Sequence, residues 1–288
     1  MEWIDRLNDA VDYIEEHLTG EIDVERAAKA AACSTYHFQR IFPYVAGVTL
    51  SEYVRRRRLT LAAFELTEGD AKIIDLAAKY GYDSPTAFSR AFQSVHGVSP
   101  TAAREKGVNL TAFPRIAFSI TIKGDQAMNY RIEKRDAFRI VGVGTREPMT
   151  MEDCFDKVPQ FWQKVGREGW VPRMLPLMDG SGPMGVLGVS LCENGDFSGY
   201  VVAVASQQPC GEGLEAYTVP AGTWAVFECV GPMPAAMQAL QKRIVSEWLP
   251  TSGYEYAAAP DIEVYGEGDQ SAPDYRSQVW LPIVKKAE

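Results

Sequence analysis

The sequence predicts an all-α domain with two helix-turn-helix motifs, followed by an α+β domain of two βαββ units whose antiparallel sheet carries helices on one face. Three observations predict it. Residues 24–49 align with residues 74–99 at a period of 50. After Pro100 the composition changes: Gly, Pro and β-forming residues increase, and His17, His37 and His96 all lie before the change. Beyond residue 127 the order strand, helix, strand, strand occurs twice. The expected domains are 1–108 and 128–288, joined by a linker at 109–127 that is partly structured.

The chain opens on an acidic, amphipathic helix, with one base (Arg6) against nine acids in residues 1–25, net −8. Residues 26–110 hold twelve Lys/Arg against seven Asp/Glu, net +5, and residues 111–288 sixteen against twenty-two, net −6, giving the total of −9. Only the repeat is basic. Screening confines a surface field to about 10 Å, so this segment is an adequate phosphate footprint on an acidic protein.

Within the repeat, Val24–Lys29 aligns with Ile74–Lys79, Ser34 with Ser84, Phe38 with Phe88, Arg40 with Arg90, Phe42 with Phe92, and Gly47-Val48 with Gly97-Val98. Ala31 stands opposite Gly81, at a turn position where a positive φ favours glycine. Each copy reads as a short helix (about 24–31 and 73–80), a turn, and a second helix with Ser34 or Ser84 as N-cap. Phe38, Ile41, Phe42, Val45 and Phe88, Ala91, Phe92, Val95 form the buried stripes of the second helices. Tyr36, Gln39, Arg40 and Thr86, Ser89, Arg90 are then expected to point outward. Such a face suits a major groove, where Arg bonds guanine and Gln bonds adenine; it also suits the solvated side of a helical bundle. Between the copies, residues 51–66 form a helix with four consecutive arginines. Four consecutive positions cover all sides of a helix, so Arg55 and Arg58 are expected to pair with protein or contact phosphate.

This first domain resembles the DNA-binding domain of the AraC/XylS family of transcription regulators over residues 3–106. The resemblance rests on Ser34 through Phe42 (Ser-Thr-Tyr-His-Phe-Gln-Arg-Ile-Phe), on Tyr53 and Arg56–Leu59, and above all on Ile74 through Pro100, which carries the family signature. It implies that both second helices enter the major groove on one side of double-stranded DNA. Tyr36, Gln39 and Arg40 would form the first reader and Thr86, Ser89 and Arg90 the second; from the helix reading above, Arg55 and Arg58 join them as candidate DNA contacts. Contact with RNA polymerase is a further expectation for such a regulator.

Phe113 to Lys123 alternates enough to suggest a short strand docking on the following domain. Further strands are expected at about 129–134, 138–146, 184–192, 198–206, 213–219, 223–230, 260–266 and 276–284, with helices at about 151–167 and 233–248. This half resembles the GyrI-like effector-binding fold. The resemblance is carried by Phe138–Gly144, Thr223–Gly231, Glu247–Tyr254, Pro260–Tyr265 and Val279–Ile283. With the first domain it gives the order of Rob-type regulators, and it implies a small-molecule effector bound between the two units.

In Asp261-Ile-Glu-Val-Tyr265, Ile262 and Val264 share a face suited to packing under the helices, and Glu263 and Tyr265 share the other. In the last strand Gln278 and Trp280 lie opposite Val279, Leu281 and Ile283. An acid among aromatics suits a flat, lipophilic cation. Glu263, Tyr265, Trp280 and Trp224 are therefore the candidate ligand residues, with Trp162 and Tyr200 as further possible walls. Two other classes stay open: carboxylate-assisted hydrolysis with Glu263 or Glu228 as general base beside Tyr265, and an inhibitory protein-binding module. With no histidine in residues 97–288, a Ser–His or Cys–His relay within the second domain is excluded. No metal-ligand spacing occurs, Gly180-Ser-Gly-Pro183 lacks the Lys-Ser/Thr of a phosphate loop, and no cofactor is expected. The five cysteines (33, 154, 192, 210, 229) suggest reduced core thiols. No apolar run reaches the ~18 residues of a membrane span, and Met1–Asp5 lacks the basic and apolar regions of a signal peptide, so a cytoplasmic protein is expected.

Overall fold

The computed structural model describes residues 2–119, 127–145, 153–193 and 196–286. It divides into two compact units, residues 1–120 and 121–288.

The first unit is helical: α1 (Glu2–Glu16), α2 (Val24–Ala30), α3 (Thr35–Ala46), α4 (Leu50–Glu68), α5 (Ile73–Lys79) and α6 (Pro85–His96), then a 3-10 turn at Ala102–Arg104. Each motif has its own apolar centre. Leu7, Val11, Ile14, Phe38, Phe42 and Tyr53 build the first, and Leu59, Leu66, Leu76, Tyr80, Phe88 and Phe92 the second. Helix α4 runs through both. Ser34 and Ser84 cap α3 and α6, each hydroxyl accepting from the backbone N–H three residues on.

The repeat slips by one residue inside the motif. α2 begins at Val24 and α5 at Ile73, an offset of 49, whereas α3 and α6 are offset by 50. The first turn is therefore one residue shorter, and its left-handed residue is Ala32 (φ 52), not the expected Ala31. Gly81 takes the matching conformation in the second copy (φ 76). An L-residue in this region costs roughly 1–2 kcal/mol that glycine avoids.

The expected strand at Phe113 to Lys123 is not formed over its described part, and residues 113–118 dock on the preceding helices. Ile120 to Lys123 lie outside the described residues, as do 146 and 151–152 at the ends of other expected elements. The physical reason is that the backbone groups here find side-chain partners instead of a strand edge. The Phe113 N–H donates to Thr60 Oγ1 at 3.1 Å, Ile116 N–H to the Tyr53 hydroxyl at 3.3 Å, and Phe118 N–H to Asn8 Oδ1 at 2.8 Å. Asn8 Nδ2 returns a bond to the Phe118 carbonyl.

The second unit contains β1 (Tyr130–Arg135), β2 (Phe138–Gly144), α7 (Cys154–Arg167), α8 (Trp170–Met174), β3 (Val186–Glu193), β4 (Asp196–Ala205), β5 (Glu215–Val219), β6 (Gly222–Val230), α9 (Ala235–Arg243, continued by a π turn to Trp248), β7 (Tyr254–Tyr256), β8 (Asp261–Tyr265) and β9 (Arg276–Lys285). The antiparallel sheet has the order β1-β6-β9-β8-β3-β4-β2-β5, with β7 on β9. This order reads the same from both ends if β1, β6, β9 and β8 are exchanged with β5, β2, β4 and β3. The two βαββ units meet at β8–β3, and each sends its preceding strand to the other's edge.

Helices pack on one face. α7 and α8 cover Val141, Tyr200, Val202 and Val204, and α9 covers Ala225, Phe227, Val279 and Leu281. The opposite face buries Phe138, Ile140, Leu187, Val189, Trp224, Val226, Ile262, Val264 and Trp280 together. Phe138 and Trp224, five strands apart, bring their rings to 6.4 Å, so the sheet curls over its own helix-free side. Of the cysteines, Cys229 is buried, but Cys210 is exposed with an Arg139 Nη2 at 3.1 Å from its sulfur. That corrects the expectation of core thiols throughout. No helix among the described residues is long and apolar enough to cross a membrane.

Candidate functional site

On α6, Thr86 and Arg90 are exposed and Ser89 is half-buried, its hydroxyl donating to the Pro85 carbonyl at 2.7 Å. On α3, Gln39 and Arg40 are half-buried. Arg40 also opposes protonation of buried His37, whose pKa falls to about 3, chiefly through burial. Tyr36 does not point outward. It is 1% exposed and its ring packs edge-on against His37 at 4.9 Å. A single periodic stripe from Phe38 leaves Tyr36 outside, but the first turn of α3 is enclosed on more sides than one, and Tyr36, His37 and Phe38 are all buried.

All four arginines of α4 are engaged by protein. Arg55 pairs with Glu52 at 2.7 Å and donates to Ser94 Oγ on α6 at 3.0 Å. Arg56 bonds Glu52 and lies over the Phe113 ring at 4.8 Å. Arg57 forms a two-pronged pair with Glu15, at 2.9 and 2.8 Å, and donates to the Phe113 carbonyl at 2.7 Å. Arg58 donates to the Leu18 carbonyl at 2.9 Å and the Gly20 carbonyl at 2.5 Å. Arg58 is therefore paired with protein, one of the two roles expected for it. Arg55, also committed to protein here, remains a half-buried guanidinium.

The second site is built around Glu263 in β8. Register decides its company. Glu263 pairs with Val279, and Ile262 with Trp280, so Glu263 and Trp280 occupy opposite faces of the sheet. The helices lie on the Glu263 face, and Ile262 and Val264 pack on the helix-free face, the reverse of the expectation. Trp224 (0% exposed) and Trp280 (2% exposed) belong to that buried helix-free side. Their indole N–H groups donate to the Pro260 carbonyl at 3.3 Å and to Gln278 Oε1 at 2.9 Å. Neither reaches the Glu263 face, and both are corrected from ligand residues to packing residues.

Around Glu263 the two βαββ halves of the second unit converge. Gln241 Nε2 of α9 donates to Oε1 at 2.7 Å; the Tyr265 hydroxyl donates to Oε2 at 2.9 Å and the Tyr200 hydroxyl at 3.3 Å. Trp162 Nε1 of α7 donates to the Tyr200 oxygen at 2.9 Å, and its ring meets that of Tyr265 at 4.9 Å. Gly188, opposite Glu263 on β3, permits this approach: a Cβ there would lie 2.2 Å from the Tyr200 hydroxyl and 3.2 Å from the Trp162 ring. Burial, then the Glu263 charge, pushes the Tyr265 hydroxyl well above the usual tyrosine pKa, so it stays a proton donor. A carboxylate offers about four acceptor positions, and the three bonds leave it able to take a further partner. Glu263 and Tyr265 are half-buried, so the charge reaches the surface beside two aromatic rings.

Sequence reasoning missed Gln241 and Gly188. The signal for Gln241 was a polar residue on the buried stripe of α9 with Met237, Ile244 and Trp248. A cleft of about 540 Å³ lies on the far side of α7, walled by Lys157, Phe161, Lys164 and Trp170 among others, and Glu263 is not among its walls. No group of three or more metal-ligating side chains occurs among the described residues.

Two capped helix-turn-helix motifs, joined in one chain to a sheet domain that holds a half-buried carboxylate between two helices, define a DNA-binding protein with a ligand-binding module. Residues 131–283, just over half of the chain, match the family described as integron-associated effector binding protein, and residues 27–106 match the helix-turn-helix domain family. The chain belongs to the AraC-type transcription regulators that carry a GyrI-like effector-binding domain. It is similar to the transcriptional activator AarP of Providencia stuartii, 36% identical over 36% of this chain and 81% of that one. It is also similar to the regulatory protein SoxS of Escherichia coli K12, 35% identical over 35% of this chain and 94% of that one. Among solved structures, SAV2435 bound to tetraphenylphosphonium is 22% identical, with a TM-score of 0.49 over 55% of this chain and 94% of that one.

Proposed function

We propose that Gln39, Arg40, Thr86, Ser89 and Arg90 read a bipartite DNA site and that the second domain senses a lipophilic cation paired with Glu263. The observation that carries the effector reading is the Glu263 carboxylate, held by Gln241, Tyr265 and Tyr200 beneath Trp162, with charge and ring faces in one place. The site binds and does not turn over its ligand. Both Glu263 oxygens already accept hydrogen bonds from neutral donors, which hold the carboxylate in place as a partner for a ligand. As a reader of DNA the protein acts in the cytoplasm, and a relative named as a transcriptional activator supports contact with RNA polymerase.

Glu263→Gln keeps the shape and removes the charge. With tetraphenylphosphonium and neutral triphenylphosphine oxide as probes, followed by tryptophan quenching of the full chain, the variant is expected to lose about tenfold or more in cation affinity. Its affinity for the neutral probe should stay within about twofold. Equal cation binding by parent and variant would remove Glu263 from the site. Turnover of a bound ester that vanishes in Glu263→Gln would favour hydrolysis instead.

A further inference from the structure

The two helix-turn-helix motifs have separate apolar centres, and α4 is the rod between them. Arg58 sits where α4 leaves the first centre, after Tyr53, and enters the second, at Leu59. Its guanidinium reaches both motifs at once. Nε and Nη2 donate to the carbonyls of Leu18 and Gly20 in the turn after α1. Nη1 lies against Gly81 in the turn between α5 and α6, 2.9 Å from the place a Cβ would occupy. Gly81 has a φ of +76, so glycine relieves both the backbone conformation and the space taken by the arginine. A second tie runs beside it, from Glu52-anchored Arg55 to Ser94 on α6. Leu61 packs against both centres.

We propose that Arg58 is a positioning residue that fixes the distance and rotation between α3 and α6, so that the domain accepts bipartite DNA sites of one spacing. The proposal rests on the reading that both helices contact DNA. A helix rod alone fixes the length of the connection, but each motif can still rock about it. An arginine bonded to one turn and wedged under the other removes that freedom, as a rigid linker raises the effective concentration of the second contact. Inserting one base pair moves a half-site by roughly 3.4 Å and 35°, a displacement that a braced pair of helices cannot follow.

The test begins with selection of a binding site from a random duplex library by the parent chain. Affinity is then measured on the selected site, on the same site with one base pair added or removed between halves, and on each half alone. Arg58→Met keeps the stem and removes the donors. The parent is expected to lose about tenfold or more on altered spacing; Arg58→Met should lose about tenfold on the selected spacing, less than about threefold more on the altered ones, and nothing on isolated halves. If Arg58→Met melts too low to assay, Arg58→Lys keeps charge and stem but cannot span both turns, and carries the same comparison. A variant whose spacing profile matches that of the parent overturns the brace, as does an equal loss on full and half sites. A parent that selects only one half overturns the two-helix reading itself.

Discussion

Replacing Trp280 by alanine is expected to destabilise the second domain by about 3–5 kcal/mol, the usual cost of emptying a buried aromatic site. The ring packs against Trp224 at 6.4 Å on the side where the curled sheet closes on itself, and the Arg135 guanidinium covers it at 5.3 Å. The described helices of the second unit all pack on the other face, so the cavity would collapse little. Denaturant unfolding of the full chain, followed by circular dichroism in the range where the sheet dominates, measures this loss. The outcome separates two roles for one residue. A packing tryptophan lowers stability severely, whereas a groove-lining one would leave stability within about 1 kcal/mol and weaken ligand binding alone. Loss of ligand by an unfolded Trp280→Ala domain is no sign of stacking; Trp162, on the Glu263 face, is the side chain to vary for that purpose.

The second large effect is expected at Glu15. Its carboxylate accepts from Arg57 through both oxygens and from the Tyr53 hydroxyl at 2.6 Å, and the Arg57 and Glu15 side chains are only 11% and 13% exposed. Glu15→Ala leaves a largely buried guanidinium without its partner, at a cost of about 3 kcal/mol. The same change loosens the segment at 113–118, because Arg57 also holds the Phe113 carbonyl and Tyr53 the Ile116 N–H. Adding Arg57→Met to Glu15→Ala should restore about half of the loss, since no unpaired charge then remains. Thermal melting of the two single variants and the double variant gives the cycle. Additive losses would mean that the pair is solvated and contributes little.

The acidic first helix is explained by the same contacts. Glu15 is spent on Arg57 and Asp12 on Arg115, so part of the negative charge of this helix neutralises arginines within the domain. The four-arginine run was legible as a problem, because no helix has four solvated sides in a packed domain. Its solution was not, because the acceptors at Leu18, Gly20 and Phe113 are backbone carbonyls that no side-chain pattern announces. The serine caps and the Phe38 and Phe88 stripes were legible because capping and helical period act locally. The one-residue slip between α2 and α3 was hidden, since Lys29 and Lys79 align by identity at an offset of 50 while the helices begin at an offset of 49. In the second domain, alternation placed Glu263 opposite Ile262 correctly. Alternation has no sign, however, and which face meets the helices depends on strand order across β9-β8-β3, which is a long-range property. Gln241 and Gly188 join the site through that same order.

The reading of DNA by two equivalent helices is tested most directly by affinity of Arg40→Ala and Arg90→Ala on the selected duplex and on random duplex at one salt concentration. Each substitution is expected to cost about 1–3 kcal/mol on the selected site and to relax base preference in one half only, a different half for each variant. An equal loss on selected and random duplexes would mean that the two arginines contact phosphate, and would contradict the assignment of α3 and α6 as the reading helices.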